Sequence, residues 1–257
     1  MPPTDASGRS SRALVPRGLA LALLPFAIAV PLTADDARPG IFRITPLRPV
    51  AELRELALAA SPPPEPGPFR PAELIELTTL DPTIRLDIRY ATRDNFLSTA
   101  VYTEARAFLQ RPAAAALVRA HRALGAHGFG LLIHDAYRPW WVTKLFWDAT
   151  PADRRDFVAD PAKGSRHNRG CAVDLTLFRL RDGQAVAMPS LYDEMTERSS
   201  PSYAGGAEEA RHLRDRLRAA MEREGFTVFE SEWWHFDYAG WREYPILNLP
   251  FDRVGRP

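Results

Sequence analysis

The sequence lacks most of what would staple it to itself or bind it to a polyelectrolyte. It has a single cysteine, Cys171, so an intramolecular disulfide is impossible and any covalent or coordinate tie must come from elsewhere, a bound metal ion being one source. Charge of one sign is missing too. Thirty-three basic residues face 32 acidic ones, for a formal net charge of +1, and no block of like charges is present to grip a polyanion, which argues against a nucleic-acid partner. No uninterrupted apolar run reaches the roughly 20 residues of a spanning helix, and no segment repeats. What is present suits a globular protein: 257 residues that are 46% apolar can supply one sizeable core.

The amino-terminal stretch has a layout of its own. Arg9, Arg12 and Arg17 precede a nearly uncharged apolar run over residues 18–32, and Thr33-Ala34 then lead into Asp35-Asp36. A basic region, a short apolar region and a small residue before a cut form a secretory signal peptide, so residues 1–34 are expected to be a leader and the protein to be exported, periplasmic or secreted. Pro25 and Pro31 interrupt the run, so a permanent membrane anchor is not expected. No cysteine stands near Ala34 to take a lipid. Residues 35–73 are rich in proline, with the run at 61–68, and read as a linker or a surface wrap. Only residues 50–60, with Leu53, Leu56 and Leu58, have the pattern of a short helix.

The compact domain is expected over residues 74–257. Residues 84–90 alternate apolar and charged side chains as a half-buried strand does. Pro112 opens a helix that residues 113–124 carry and that Gly125 or Gly128 ends. A short apolar strand follows at 129–134, then two short helices at 140–148 and 151–158, then a strand at 172–177. Ala210, Leu213, Leu217, Ala220 and Met221 share one face of a helix ending at Gly225, and strands at 227–229 and 233–238 close the pattern. This mixture predicts an α+β domain with a small, largely antiparallel sheet flanked by helices.

Three segments carry chemistry. In the first, His167 stands in a polar loop and Asp174 seven residues later, inside an apolar strand between Val173 and Leu175. A carboxylate there costs a large desolvation energy unless a cation or several donors meet it. Zinc takes imidazole nitrogen and carboxylate oxygen, and a catalytic site keeps three protein ligands and one open position. The second segment supplies the third ligand, His235, and with it a base: Glu232, three residues earlier, is placed to take a proton from an activated water and pass it to a leaving amine. Asp237 is a candidate to orient a ligand histidine. In the third segment, Arg138 sits on a turn fixed by Pro139, where a guanidinium can meet the charge that develops on an attacked carbonyl, and Asp135 can brace it.

The motifs Asp-Ala-Tyr-Arg-Pro at 135–139, Ser-x-His-x-x-Gly-x-Ala-x-Asp at 165–174 and Glu-x-Trp-His at 232–235 resemble, in order, those of the D-alanyl-D-alanine dipeptidases. Arg89-Tyr90-Ala91-Thr92, Asn95-Phe96 and Val101-Tyr102 are similar to that family's amino-terminal signature. The resemblance spans about residues 80–238. It implies the zinc fold shared by D,D-peptidases and the hedgehog signalling domain. It implies one zinc ion on His167, Asp174 and His235, with Glu232 as catalytic base, Arg138 on the oxyanion and a small D,D-dipeptide as substrate. Tyr192-Asp193 is similar to the family's Phe-Asp element, whose acid would meet the dipeptide's amino group, and Ser165 would hydrogen-bond the substrate. Pro189-Ser190 and Leu97-Ser98 depart from the family pattern and bear on strict dipeptide preference. Two rival readings use the same residues: a zinc D,D- or L,D-carboxypeptidase on longer muropeptides, and a non-catalytic zinc-stabilised binding module.

Plainer roles compete for several of these residues. Asp193 can be a helix cap before Glu194, and Arg138 a turn brace alone. Cys171 reads as a small buried thiol. Trp233 and Trp234 read as supports for the sheet, and His121, His127 and His212 as structural or solvated.

Overall fold

The computed structural model describes residues 42–254, and the expected leader at 1–34 lies outside them. In chain order the elements are α1 (Val50–Ala59), β1 (Leu74–Glu76), α2 (Leu77–Leu80), β2 (Arg85–Leu86), β3 (Phe108–Gln110), α3 (Arg111–Gly125), β4 (Phe129–Asp135), α4 (Trp140–Ala149), β5 (Ala172–Arg179), α5 (Glu208–Arg223), β6 (Phe226–Phe229) and β7 (Glu232–Tyr238). The main sheet has the order β2-β4-β5-β7-β6. Only β2 and β4 run parallel, and the other pairs are antiparallel. A second ladder joins β1 to β3. The predicted α+β class with a largely antiparallel sheet is what is observed, and among the described residues no helix is long and apolar enough to cross a membrane.

The long elements follow from their sequences. In α3, with proline in its first turn, Ala113, Ala116, Leu117, Ala120 and Leu124 are buried at helical spacing. In α5, Glu208 and Glu209 occupy the first turn and Arg223 the last, complementing the helix dipole. Both helices pack on the sheet and on each other. The central strand β5 is buried on both faces for seven of its eight residues, the near-continuous apolar run expected of a strand covered on both sides.

Three expectations change. The alternation at 84–90 yields only a two-residue strand followed by a 3-10 turn at Arg89–Ala91. Ile84, Ile88 and Tyr90 are still buried, so the pattern reports which side chains turn inward, while the ladder ends once Tyr90 is drawn toward the site. Residues 151–158 form a 3-10 turn, Ala152–Phe157, rather than a helix. None of its residues is buried, so no apolar face holds a helix in place. β1, α2 and β3 have no counterpart in the sequence reading, because three or four residues are too few to display a period.

The described part of the proline-rich stretch, from residue 42, lies against the domain. Ile44 N donates to Phe96 O at 3.0 Å and Leu47 N to Ala149 O at 3.0 Å. Leu53 and Ala57 of α1 join the core, and Arg54 reaches the Val101 carbonyl at 2.9 Å. Glu65 accepts from the buried Arg169 and from Ile246 N at 2.6 Å.

Candidate active site

Sheet register builds the centre. Asp174 of β5 is the direct cross-strand partner of His235 of β7, so both side chains leave the same face. His167 arrives from a 3-10 turn, His167–Arg169, closed by Gly170 in the left-handed conformation, φ 66°. A Cβ at Gly170 would come within 2.4 Å of the Leu74 side chain, so glycine is required there on both counts. Three atoms then converge: His167 Nε2 and His235 Nδ1 are 3.1 Å apart, and Asp174 Oδ1 lies 3.3 Å from the first and 3.1 Å from the second.

The geometry and the donor chemistry both fit a metal ion. Bonds of about 2.0 Å from a tetrahedral ion put ligand atoms roughly 3.3 Å apart. His167 Nδ1 lies 2.7 Å from the Ala136 carbonyl, and His235 Nε2 lies 2.9 Å from Asp237 Oδ1. Both partners only accept, so these nitrogens carry the protons and the opposite nitrogens turn toward Asp174. Asp174 Oδ1 is buried and accepts no hydrogen bond of good geometry, while Oδ2 accepts from Tyr192 at 3.0 Å. An orphaned carboxylate oxygen between two imidazole nitrogens is a cation site.

The charges are tuned to match. Burial opposes ionisation of Asp174, but the two imidazoles outweigh it and hold the carboxyl well below its usual range. Burial also pulls His235 down, yet Asp237 and Asp174 prevail and lift it from 6.5 to about 10. In the metal-free protein a proton on Nδ1 thus does what a metal ion would do. Glu232 Oε2 lies 3.7 Å from His235 Nδ1. Burial, reinforced by Asp174 and Asp237 against the pull of His235 and Arg138, raises its carboxyl from 4.5 to about 7, within the working range of a general base at neutral pH. Three residues is an odd spacing that a regular strand would send to opposite faces. The β6–β7 pairing slips between Val228 and Phe229, leaving Phe229 opposite Glu232, and this irregularity accompanies the approach.

The seven residues given metal, catalytic or substrate-binding roles from the sequence, Ser165 and Asp193 included, line one cavity of about 400 Å³, in the lower part of the roughly 300–1,000 Å³ common for small-molecule sites. Arg138 Nε and Nη2 both donate to Asp135 Oδ2, at 2.9 and 2.8 Å. Asp135 Oδ1 accepts from Tyr102 and from Ala136 N, so the brace is fully engaged, and Arg138 Nη2 stands 3.8 Å from Asp174 Oδ2. Asp193 has a left-handed backbone, φ 58°. Tyr90 OH lies 3.1 Å from each of its carboxylate oxygens. Burial, then Asp174 and Glu232, push this acid well above its usual range, which marks a place where an incoming cation is welcome. No helix follows Asp193; the nearby turn at Glu197–Ser199 is capped by Thr196, so the helix-cap reading falls. Ser165 Oγ accepts from His167 N at 3.2 Å.

The plainer readings hold elsewhere. His121 Nδ1 accepts from Leu131 N, His212 is solvated, and burial pushes the Cys171 thiol up to about 12. The sequence reading missed the phenols as working groups: Tyr192 and Tyr90 each hold one site carboxylate, and neither contact has a local sequence signal.

Comparison with known proteins shows the family of the chain. A family model described as D-Ala-D-Ala dipeptidase matches residues 70–248. The chain is 37% identical over 179 residues to the D-alanyl-D-alanine dipeptidase of Escherichia coli K12, covering 70% of this chain and 91% of that protein. It is 36% identical over 187 residues to the D-alanyl-D-alanine dipeptidase of Enterococcus faecium, covering 66% and 91%. Among solved structures, a vancomycin-resistance D,D-pentapeptidase in complex with Zn(II) superposes with a TM-score of 0.35 and 17% identity, over 53% of this chain and 75% of that one.

Proposed function

This chain belongs to the D-Ala-D-Ala dipeptidase family, and from that premise we propose that it hydrolyses D-alanyl-D-alanine with one zinc ion held by His167, Asp174 and His235. The observation that carries the reading is the trio of ligand atoms spaced 3.1–3.3 Å apart around an orphaned carboxylate oxygen. When bound, zinc polarises the scissile carbonyl and acidifies a water molecule. Glu232 takes the proton from the attacking water and returns it to the amine as the C–N bond breaks, releasing two D-alanines. Arg138, fixed by Asp135, donates to the carbonyl oxygen as it gains charge. Asp193 receives the substrate's ammonium group, and the Ser165 hydroxyl binds the substrate beside His167. Export, from the leader at residues 1–34, would bring the enzyme to peptidoglycan fragments outside the cytoplasm.

The test is metal analysis of the purified protein together with D-alanine release from free D-Ala-D-Ala and from a pentapeptide stem. Stoichiometric zinc and turnover of the dipeptide alone support the reading. Cleavage of the stem but not the dipeptide would replace it with a carboxypeptidase, and zinc without any turnover with a binding module.

A further inference from the structure

Asp193 provides a partner for the substrate's ammonium, and the carboxylate at its other end also needs a cation. A free dipeptide is a zwitterion, and sealing its carboxylate in a half-enclosed cavity requires a matching donor group. Four cationic side chains line the cavity: Arg138, Lys163, Arg166 and Arg169. Two of them are engaged. Arg138 commits Nε and Nη2 to Asp135, and Arg169 commits Nη1 to the Tyr244 carbonyl and Nη2 to Glu65. Lys163 is 84% exposed and lies 3.9 Å from Asp160, a solvated surface charge.

Arg166 differs from all three. Its guanidinium packs over the rings of Trp241 and Phe229, 5.1 and 5.8 Å from their centroids, which seats it at the cavity wall. Among the described residues its one carboxylate partner is Asp237, 3.5 Å from Nε. The side chain is 38% exposed, and the edge formed by Nη1 and Nη2 has no hydrogen-bond partner among those residues. The residues that hold Asp193, Tyr90 among them, are not those that hold Arg166, and both groups border the same cavity. The cavity that holds the metal ligands is therefore lined by both an acid and a guanidinium, each held by its own neighbours.

We propose that Arg166 is the substrate's carboxylate clamp: its Nη1/Nη2 edge takes the C-terminal carboxylate of the peptide in a paired hydrogen bond, while Nε stays with Asp237. The inference rests on the dipeptidase reading for the identity of the ligand. Arg166 then sets specificity for a free C-terminus, as Asp193 does for a free N-terminus, and the two together select a dipeptide.

The experiment compares D-Ala-D-Ala with D-Ala-D-alaninamide, which lacks the terminal charge, on zinc-loaded full-length protein and on Arg166→Gln and Arg166→Lys. The wild type should prefer the acid by about 10- to 100-fold in kcat/KM, the worth of a charge-assisted pair. Arg166→Gln should erase that preference mainly through KM, and Arg166→Lys should restore part of it. A structural role would lower both substrates alike. Binding of N-acetyl-D-alanine against its amide, measured calorimetrically on the same proteins, reads the clamp without turnover. If the wild type hydrolyses neither dipeptide yet binds the acid more tightly in an Arg166-dependent way, the dipeptidase reading fails and the clamp stands. An acid-to-amide ratio unchanged by Arg166→Gln in both assays overturns the clamp.

Discussion

The two walls of the cavity are built in different ways. The inner wall, where β5 and β7 meet the His167 turn, consists of charged and polar side chains that are buried, with His167 at 2% and Asp174 at 3%, or nearly so, with Glu232 at 18%. The outer wall is the turn at Ala152–Phe157, none of whose residues is buried, together with Lys163, Arg166 and the aromatic edges of Phe229 and Trp241. The inner wall is over-determined, so atoms that must meet an ion or a reacting carbonyl keep their places without the ligand's help. The outer wall is held more lightly: its turn has no buried residue, and Arg166 rests on two aromatic rings and one carboxylate.

The sharpest way to break this contrast is Glu232→Gln on the inner wall. It should lower kcat by about 10³-fold, the middle of the range for a general base, while zinc analysis shows the metal retained. Full turnover in that variant would remove the base from the mechanism. Next in size, Asp237→Ala takes away the acceptor that fixes the His235 ring and should weaken zinc affinity by about 10- to 100-fold, measured by chelator competition. An unchanged affinity would mean that packing against Phe229 alone orients the ring.

A smaller effect is expected outside the walls. Glu65→Ala leaves Arg169, a residue with its side chain 9% exposed, without its carboxylate, and should cost roughly 2–3 kcal/mol of stability. That corresponds to a Tm lower by about 5–10 °C for a domain of this size. A Tm within a degree of wild type would show that the proline-rich segment rests on the domain without bracing it.

The pH dependence of the metal-free protein is the mildest test. Glu232 is lifted from 4.5 to about 7, so between those values the folded form holds a proton that the unfolded chain has lost, and stability falls as pH rises. His235 is lifted from 6.5 to about 10; its contribution is whole below 6.5 and lost as pH climbs through 10. His134, lowered from 6.5 to about 4 by burial, adds stability as pH rises to 6.5 and opposes Glu232 there, so melts in chelator should show Tm declining from about pH 6.5 to 10. Zinc-loaded protein, in which the ion takes the place of the His235 Nδ1 proton, should lack the upper part of that decline.

The inner wall was also the more legible of the two in the sequence. Asp174 draws attention because an acid inside an apolar strand needs a cause, and His167 and His235 supply one. The long elements α3, β4, β5, α5 and β7 declare their periods over seven or more residues. Other features have no such signal. Asp193 depends on a left-handed backbone and on a phenol 103 positions away, and Glu65 on partners 104 and 181 positions away. No local pattern encodes such pairings. The alternation at 84–90 names the right buried residues and the wrong element, because burial and ladder pairing are separate requirements that coincide only in regular strands.

The contact between Glu65 and Ile246 N has a consequence for the order of events in making the protein. A ribosome delivers residue 65 long before residue 246, so this contact cannot form during most of synthesis. Glu65 can meet Arg169 once that residue has emerged, but its tie to Ile246 N waits for the far end of the chain. The segment made early is therefore seated in steps, and one of its ties closes among the last.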